Sequence, residues 1–168
     1  PFVPQIIEAC IRRGTEMEPS LLKMFTTGSA SESYNSALAL GILRSAQAVT
    51  TAPELLNSAT ETLKRIGALF VLVFAGQTER QQEIIPYLDD PDEVISHAAA
   101  IALEHLPVPV PDAVLETHLR SARPLIQLRL TRHVKRYTEV NPAVRDAIAA
   151  LVTDQNDDVG LAAAEPMS

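Results

Sequence analysis

His97, Glu104 and His105, with Glu93, Glu116 and His118 nearby, are the residues of this chain whose types could bind a metal or move a proton. An imidazole and a carboxylate on neighbouring helical turns can share a metal ion. The spacing here does not allow it. His97 and Glu104 are seven residues apart, two turns of helix and too far for one ion. Glu104-His105 is the sole adjacent pair, and no other segment repeats it. These histidines read as solvated or helix-capping groups, so no metal and no cofactor is expected. The chain has no Gly-rich phosphate loop, nucleophile elbow or Ser/His/Asp cluster of recognisable context. Ser29, Ser31 and Ser33 after Gly28 read as turn and cap residues. Cys10 is the single cysteine, which excludes an intrachain disulfide and any CxxC knuckle. It reads as a small buried group on a first helix. No catalytic residue is assigned, and the chain is not expected to be an enzyme.

A second group of residues is basic. From Leu119 to Tyr137 the sequence holds Arg120, Arg123, Arg129, Arg132, Lys135 and Arg136 and no carboxylate, inside a chain of formal net charge −7. Arg129, Arg132 and Arg136 follow i, i+3, i+7 spacing, one face of a helix. Such a stripe can pair internally with acids such as Asp89, Glu93, Glu116 or Asp158, or it can dock an acidic protein surface. Phosphate or nucleic acid is a third possibility. A pI near 5.0 weighs against it, because charge dominates that kind of binding.

The elements that must position these residues are set by a repeat. Asp90-Pro91-Asp92-Glu93-Val94-Ile95-Ser96-His97-Ala98-Ala99-Ala100-Ile101-Ala102-Leu103 has a near copy starting at Asp154 and a looser one starting at Ser58. Turns near Thr27, Ser58, Asp90, Ser121 and Asp154 step by 31, 32, 31 and 33 residues. A period near 32 accommodates two helices of about 10–14 residues and two tight turns, so the fold is predicted to be all-α. Ala98 and Ala102 should lie where helices approach closely. With 4% aromatic residues and no Trp, the core must be built from Leu, Ala, Ile and Val. The run Ile66–Gly76 is too short to span a bilayer and reads as a helix buried on most sides, so no membrane is expected and the location reads as cytoplasmic.

Proline marks helix starts. Asn141-Pro142 opens a helix to about Val152, Pro111-Asp112 one to Ser121, Pro53 one over Glu54–Asn57, and Pro19-Ser20 one to Phe25. The second members are predicted over Glu32–Ala46, Glu61–Ala75, Asp92–Leu106 and Pro124–Tyr137. One apolar stripe contains Val94, Ile95, Ala98, Ile101, Ala102 and Leu106; another contains Ile126, Leu130, Val134 and Tyr137. Pro86 lies inside the run Glu79–Leu88, where a kink near Ile84–Ile85 is expected. The last helix reads as incomplete or stopped by Pro166.

The Asp90–Leu103 stretch resembles the short HEAT-like repeat of bacterial and phycobilisome-lyase-type proteins. The pattern is an Asp-Pro-Asp turn, an acid, a β-branched residue, two positions usually basic, and an Ala-rich run ending in Leu. Ile95, Ala98, Ala99, Ala100, Ala102 and Leu103 follow it, Ser96-His97 stand at the usually basic pair, and Lys64-Arg65 keep that pair basic. The resemblance implies a right-handed α-solenoid of about five HEAT-like helix pairs. It would cover residues 1–168 as a single domain, read as a piece of a longer chain because Pro1 replaces Met. It also implies a non-catalytic protein-binding scaffold of bacterial type. The candidate partner-binding residues are Arg129, Arg132, Lys135 and Arg136 with Lys64, Arg65 and His97, and the expected partner is a protein with an acidic surface. The enzyme alternatives are weaker. A deoxyhypusine-hydroxylase-like iron site needs His-Glu pairs on several repeats, and a bilin-lyase-like pocket needs an aromatic-rich cleft; the sequence has neither.

Overall fold

Short polar side chains at Ser29, Ser45, Asp92 and Asn141 open four of the described helices. The computed structural model describes residues 13–74, 80–137, 139–152 and 157–164. Those residues are helical or turn, with no strand among them. They divide into two compact units, Pro1–Glu83 and Ile84–Ser168. The Asp154 turn, Cys10, Glu79 and Pro166 lie outside the described residues.

The first unit holds a 3-10 turn, Gly14–Met17, then α1 (Glu18–Thr27), α2 (Ala30–Ile42), α3 (Ala46–Ser58) and α4 (Thr62–Phe74). Ser29 caps α2 in a reciprocal box. Its hydroxyl accepts from Glu32 N–H, and Ser29 N–H donates to the Glu32 carboxylate at 2.8 Å. The bonds from Ser29 hold the Glu32 carboxyl below its ordinary range. Helix α1 packs on α2 and α3 on α4, and the two second helices, α2 and α4, pack on each other. A Cβ on Gly67 of α4 would stand 3.0 Å from the Ala37 Cβ and 3.2 Å from the Tyr34 Cα. A Cβ on Gly41 of α2 would stand 2.7 Å from the Phe74 Cβ. Contact thus advances along both helices together, so α2 and α4 run parallel at a separation that only small residues allow. The predicted apolar helix is α4, and its Ala68, Leu69, Val71 and Leu72 are fully buried.

Two boundaries in this unit differ from the sequence reading. Helix α2 ends at Ile42 rather than Ala46, because Arg44 takes the left-handed conformation (φ 52°). Arg44 N–H then donates to Gly41 O and Ser45 N–H to Leu40 O, which satisfies the open carbonyls. Ser45 immediately caps α3, accepting from Ala48 N–H at 3.1 Å. Its own hydroxyl donates to the Glu18 carboxylate. Pro53 therefore does not open a helix; it lies inside α3. Interior proline removes one ladder bond, here to Val49 O, at a cost of about 3 kcal/mol. Pro53→Ala is expected to stabilise the protein by about 1–2 kcal/mol, after the added freedom of the unfolded chain is subtracted. Chemical denaturation measures it, and an unchanged midpoint would mean that α3 accommodates the ring without loss.

In the second unit α5 (Gln81–Ile84), which runs across the division, leads into a 3-10 segment, Ile85–Asp89; α6 (Glu93–His105), α7 (Asp112–Leu119), α8 (Pro124–Val134), α9 (Pro142–Leu151) and α10 (Asp157–Ala164) follow. At Pro86 the helix changes from α to 3-10, at the position where the sequence predicts a kink. Asp92 and Asn141 cap α6 and α9 through Val94 N–H and Ala143 N–H, both at 2.9 Å. Helix α6 packs on α8 and α8 on α10, while α7 packs on α8 and α9 on α10. Ala98 and Ala102 are buried as expected, with Ile95, Leu103, Leu106, Ile126, Leu130 and Val134. Val94 is not: it is 56% exposed. Tyr137 lies beyond the end of α8.

One local solution recurs. In α2, α4 and α8, position four of the second helix reaches back to the end of the preceding first helix. Ser33 Oγ donates to Phe25 O at 2.6 Å, Arg65 Nε to Leu56 O at 3.1 Å, and Gln127 Nε2 to Leu119 O at 3.1 Å and Ser121 O at 2.6 Å. Position four of α6 is Ser96, whose hydroxyl instead donates to Glu93 O. There the open carbonyls of Leu88 and Asp90 are taken by the Arg123 guanidinium.

Candidate functional site

The cations of the basic segment do not share one fate. Helix α8 is buried at Ile126, Gln127, Leu128, Leu130, Thr131, His133 and Val134. Its solvent side is the narrow stripe Leu125, Arg129 and Arg132, and the line continues to Arg136 just past the helix. Arg129 bridges to α6: Nη1 lies 3.1 Å from Glu104 Oε2, and Nε donates to His97 Nε2 at 3.4 Å. A nitrogen that accepts from a guanidinium carries no proton, so His97 is neutral with its hydrogen on Nδ1. Burial lowers its pKa, the Arg129 charge lowers it further, and Glu104 opposes both. The internal partner of Arg129 is thus Glu104, not one of the acids the sequence suggested.

Lys135 is buried, and Nζ donates to Ala162 O in the last turn of α10, where a cation meets the negative end of the helix. Arg136 is exposed, with Nη2 3.0 Å from His133 Nδ1. Arg120, at the end of α7, is exposed and pairs at 3.7 Å with Glu116 of that helix. Arg132 is exposed and makes no ion pair among the described residues. Lys64 and Arg65 belong to the first unit, where Lys64 pairs with Glu61 at 3.1 Å and Arg65 holds Leu56 O. Of the sequence candidates, the structure brings together His97 and Arg129, and keeps Arg132 and Arg136 open on the same stripe.

No family model and no curated protein matches this chain.

Beside the stripe lies a cleft of about 120 Å³, formed by the first turns of α6 and α8. Ala122, Pro124, Leu125 and Ile126 give it an apolar side, and Glu93, Ser96, His97 and Arg123 border it. The sequence reading missed the exposed apolar residue on its wall, Leu125, 54% exposed, and Val94 on α6, 56% exposed. The signal was present in the period. Leu63, Val94 and Leu125 are each the second residue of a second helix, 31 residues apart, and Leu63 is 42% exposed. An apolar residue held open at the same register in successive repeats does not serve the core.

The other titratable groups offer less chemistry. His118 is buried and its pKa is lowered by burial, with Asp89 Oδ2 at 3.8 Å acting against that. Among the described residues no group of three or more His, Cys, Asp and Glu could hold a metal ion, and no helix is long and apolar enough to cross a membrane.

Proposed function

We propose that this chain is a non-catalytic protein-binding module, a right-handed stack of HEAT-like helix pairs that docks an acidic partner on the open stripe of α8. The observation that carries the proposal is Arg132, exposed and in no ion pair among the described residues, two helical turns from the exposed Leu125 on the solvent side of α8. Arg132 and Arg136, the exposed cations of α8 and its end, lie in a segment without a carboxylate and attract an acidic surface locally. The desolvated apolar contact beside it supplies the short-range part.

The test is capture of partners from an extract of the source cells by the whole protein and by Arg132→Glu. Arg132 is exposed and in no ion pair among the described residues, so the variant should melt as the parent does. It should lose the captured protein, and raising salt from about 50 to about 300 mM should weaken capture by the parent. Equal capture by the variant ends this reading, as does stoichiometric iron in the purified protein.

A further inference from the structure

We infer that the cleft between the first turns of α6 and α8 seats one large apolar side chain of an extended, acidic peptide segment, whose Asp or Glu about three residues away pairs with Arg132. This rests on the protein-binding reading and names the recognised segment.

The chemistry of the cleft selects the anchor. Its cation, Arg123, is already turned onto the carbonyls of Leu88 and Asp90. Its imidazole, His97, is neutral and occupied by Arg129. The Ser96 hydroxyl is bound to Glu93 O. What remains for a guest is the apolar side, Ala122, Pro124 and Leu125 over the buried Ile126, with a volume suited to a single aliphatic or aromatic side chain. An acid in the cleft would meet the exposed Glu93 carboxylate, so the anchor itself is uncharged.

Geometry sets the spacing. Leu125 and Arg132 are seven residues apart on α8, two turns, or about 10 Å along the axis. An extended peptide covers about 10 Å in three residues. Arg129 lies between them, but Glu104 already neutralises it. The acid of the guest therefore points toward Arg132 and away from Glu93, which fixes the end of the stripe on which it lies, whether it precedes or follows the anchor.

Panning a random 12-residue phage-displayed library on the whole protein at about 50 mM salt tests this with no natural partner in hand. Enriched sequences should combine a Leu, Ile, Met or Phe with an Asp or Glu two to four residues away. Synthetic copies should bind Leu125→Asp and Arg132→Glu at least ten-fold more weakly than the parent, by fluorescence anisotropy. Both substitutions are at exposed positions, and unchanged circular dichroism checks the fold. Enrichment of basic or purely apolar sequences, binding indifferent to either substitution, or no enrichment overturns the inference, while partner capture through Arg132 could still stand. Concentration-dependent dimerisation abolished by Leu125→Asp would assign the cleft to a second copy of this chain and overturn it too.

Discussion

Lowering the pH from 7 to 4.5 should destabilise the second unit by about 3 kcal/mol, and His133 should account for most of it. The ring is fully buried in α8. Val110 N–H donates to Nε2 at 3.2 Å, and the Tyr137 ring lies 5.1 Å away. Burial, reinforced by the Arg136 guanidinium, lowers its pKa from 6.5 to about 4, against the carbonyls of Glu104 and Leu103 and the Glu104 carboxylate, which favour the proton. The two ring nitrogens face the Val110 N–H and the Arg136 guanidinium, so a second ring proton would meet a donor on either side. In the unfolded chain the same imidazole protonates near 6.5, so between 6.5 and 4 the unfolded state holds more protons than the folded one. Stability is then fully present above 6.5 and is lost as pH falls toward 4, and a shift of that size corresponds to about 3 kcal/mol. The lowered pKa values of His97 and His118 act with the same sign. Stability should be measured by urea unfolding at half-unit steps of pH. His133→Leu should be less stable at pH 7.5, because Val110 N–H loses its acceptor, yet should show a much flatter profile between 6.5 and 4.5. A variant with the parental slope would assign the acid sensitivity to other groups.

Gly67→Leu should unfold the first unit at markedly milder conditions. The gap between α2 and α4 does not admit even a Cβ without displacing Ala37 or the Tyr34 backbone. Leucine's helix propensity returns about 1 kcal/mol, but forcing parallel helices apart along a buried seam costs more, so a net loss of about 2–3 kcal/mol is expected. That corresponds to a fall in melting temperature on the order of 10 °C. Gly41→Ala gives a sharper test of sign. On an exposed helix the change stabilises; here the new methyl meets the Phe74 Cβ, which is fixed to its backbone and cannot swing away. A more stable Gly41→Ala protein would show that the end of α4 yields.

Much of this architecture was legible because its signals are local. Asn141-Pro142 and Asp92 announce helix starts through cap chemistry, and the turns recur in the sequence itself. The end of α2 was not legible, since Arg44 occupies a left-handed position without the glycine that normally marks one. The misplaced role of Pro53 follows from that. With α2 extended to Ala46 no room remains for a helix start at Ser45, and the proline then reads as the start. At the site, the composition of the basic stripe was evident, but which cations remain open was not. Arg129 meets Glu104 across 25 residues of sequence, and Lys135 meets Ala162 across 27, contacts that exist only once α6, α8 and α10 are packed.

The donor at position four of the second helices bears on how such a repeat can drift. A hydroxyl in Ser33, a guanidinium in Arg65 and an amide in Gln127 perform one task, and where Ser96 turns to its own helix, Arg123 from the following pair takes over. What these pairs share is an N–H or O–H within reach of an open carbonyl, not a residue type. Alignment by identity sees unrelated letters there, although the three pairs close the same carbonyl gap. In those pairs the chemistry is more regular than the spelling.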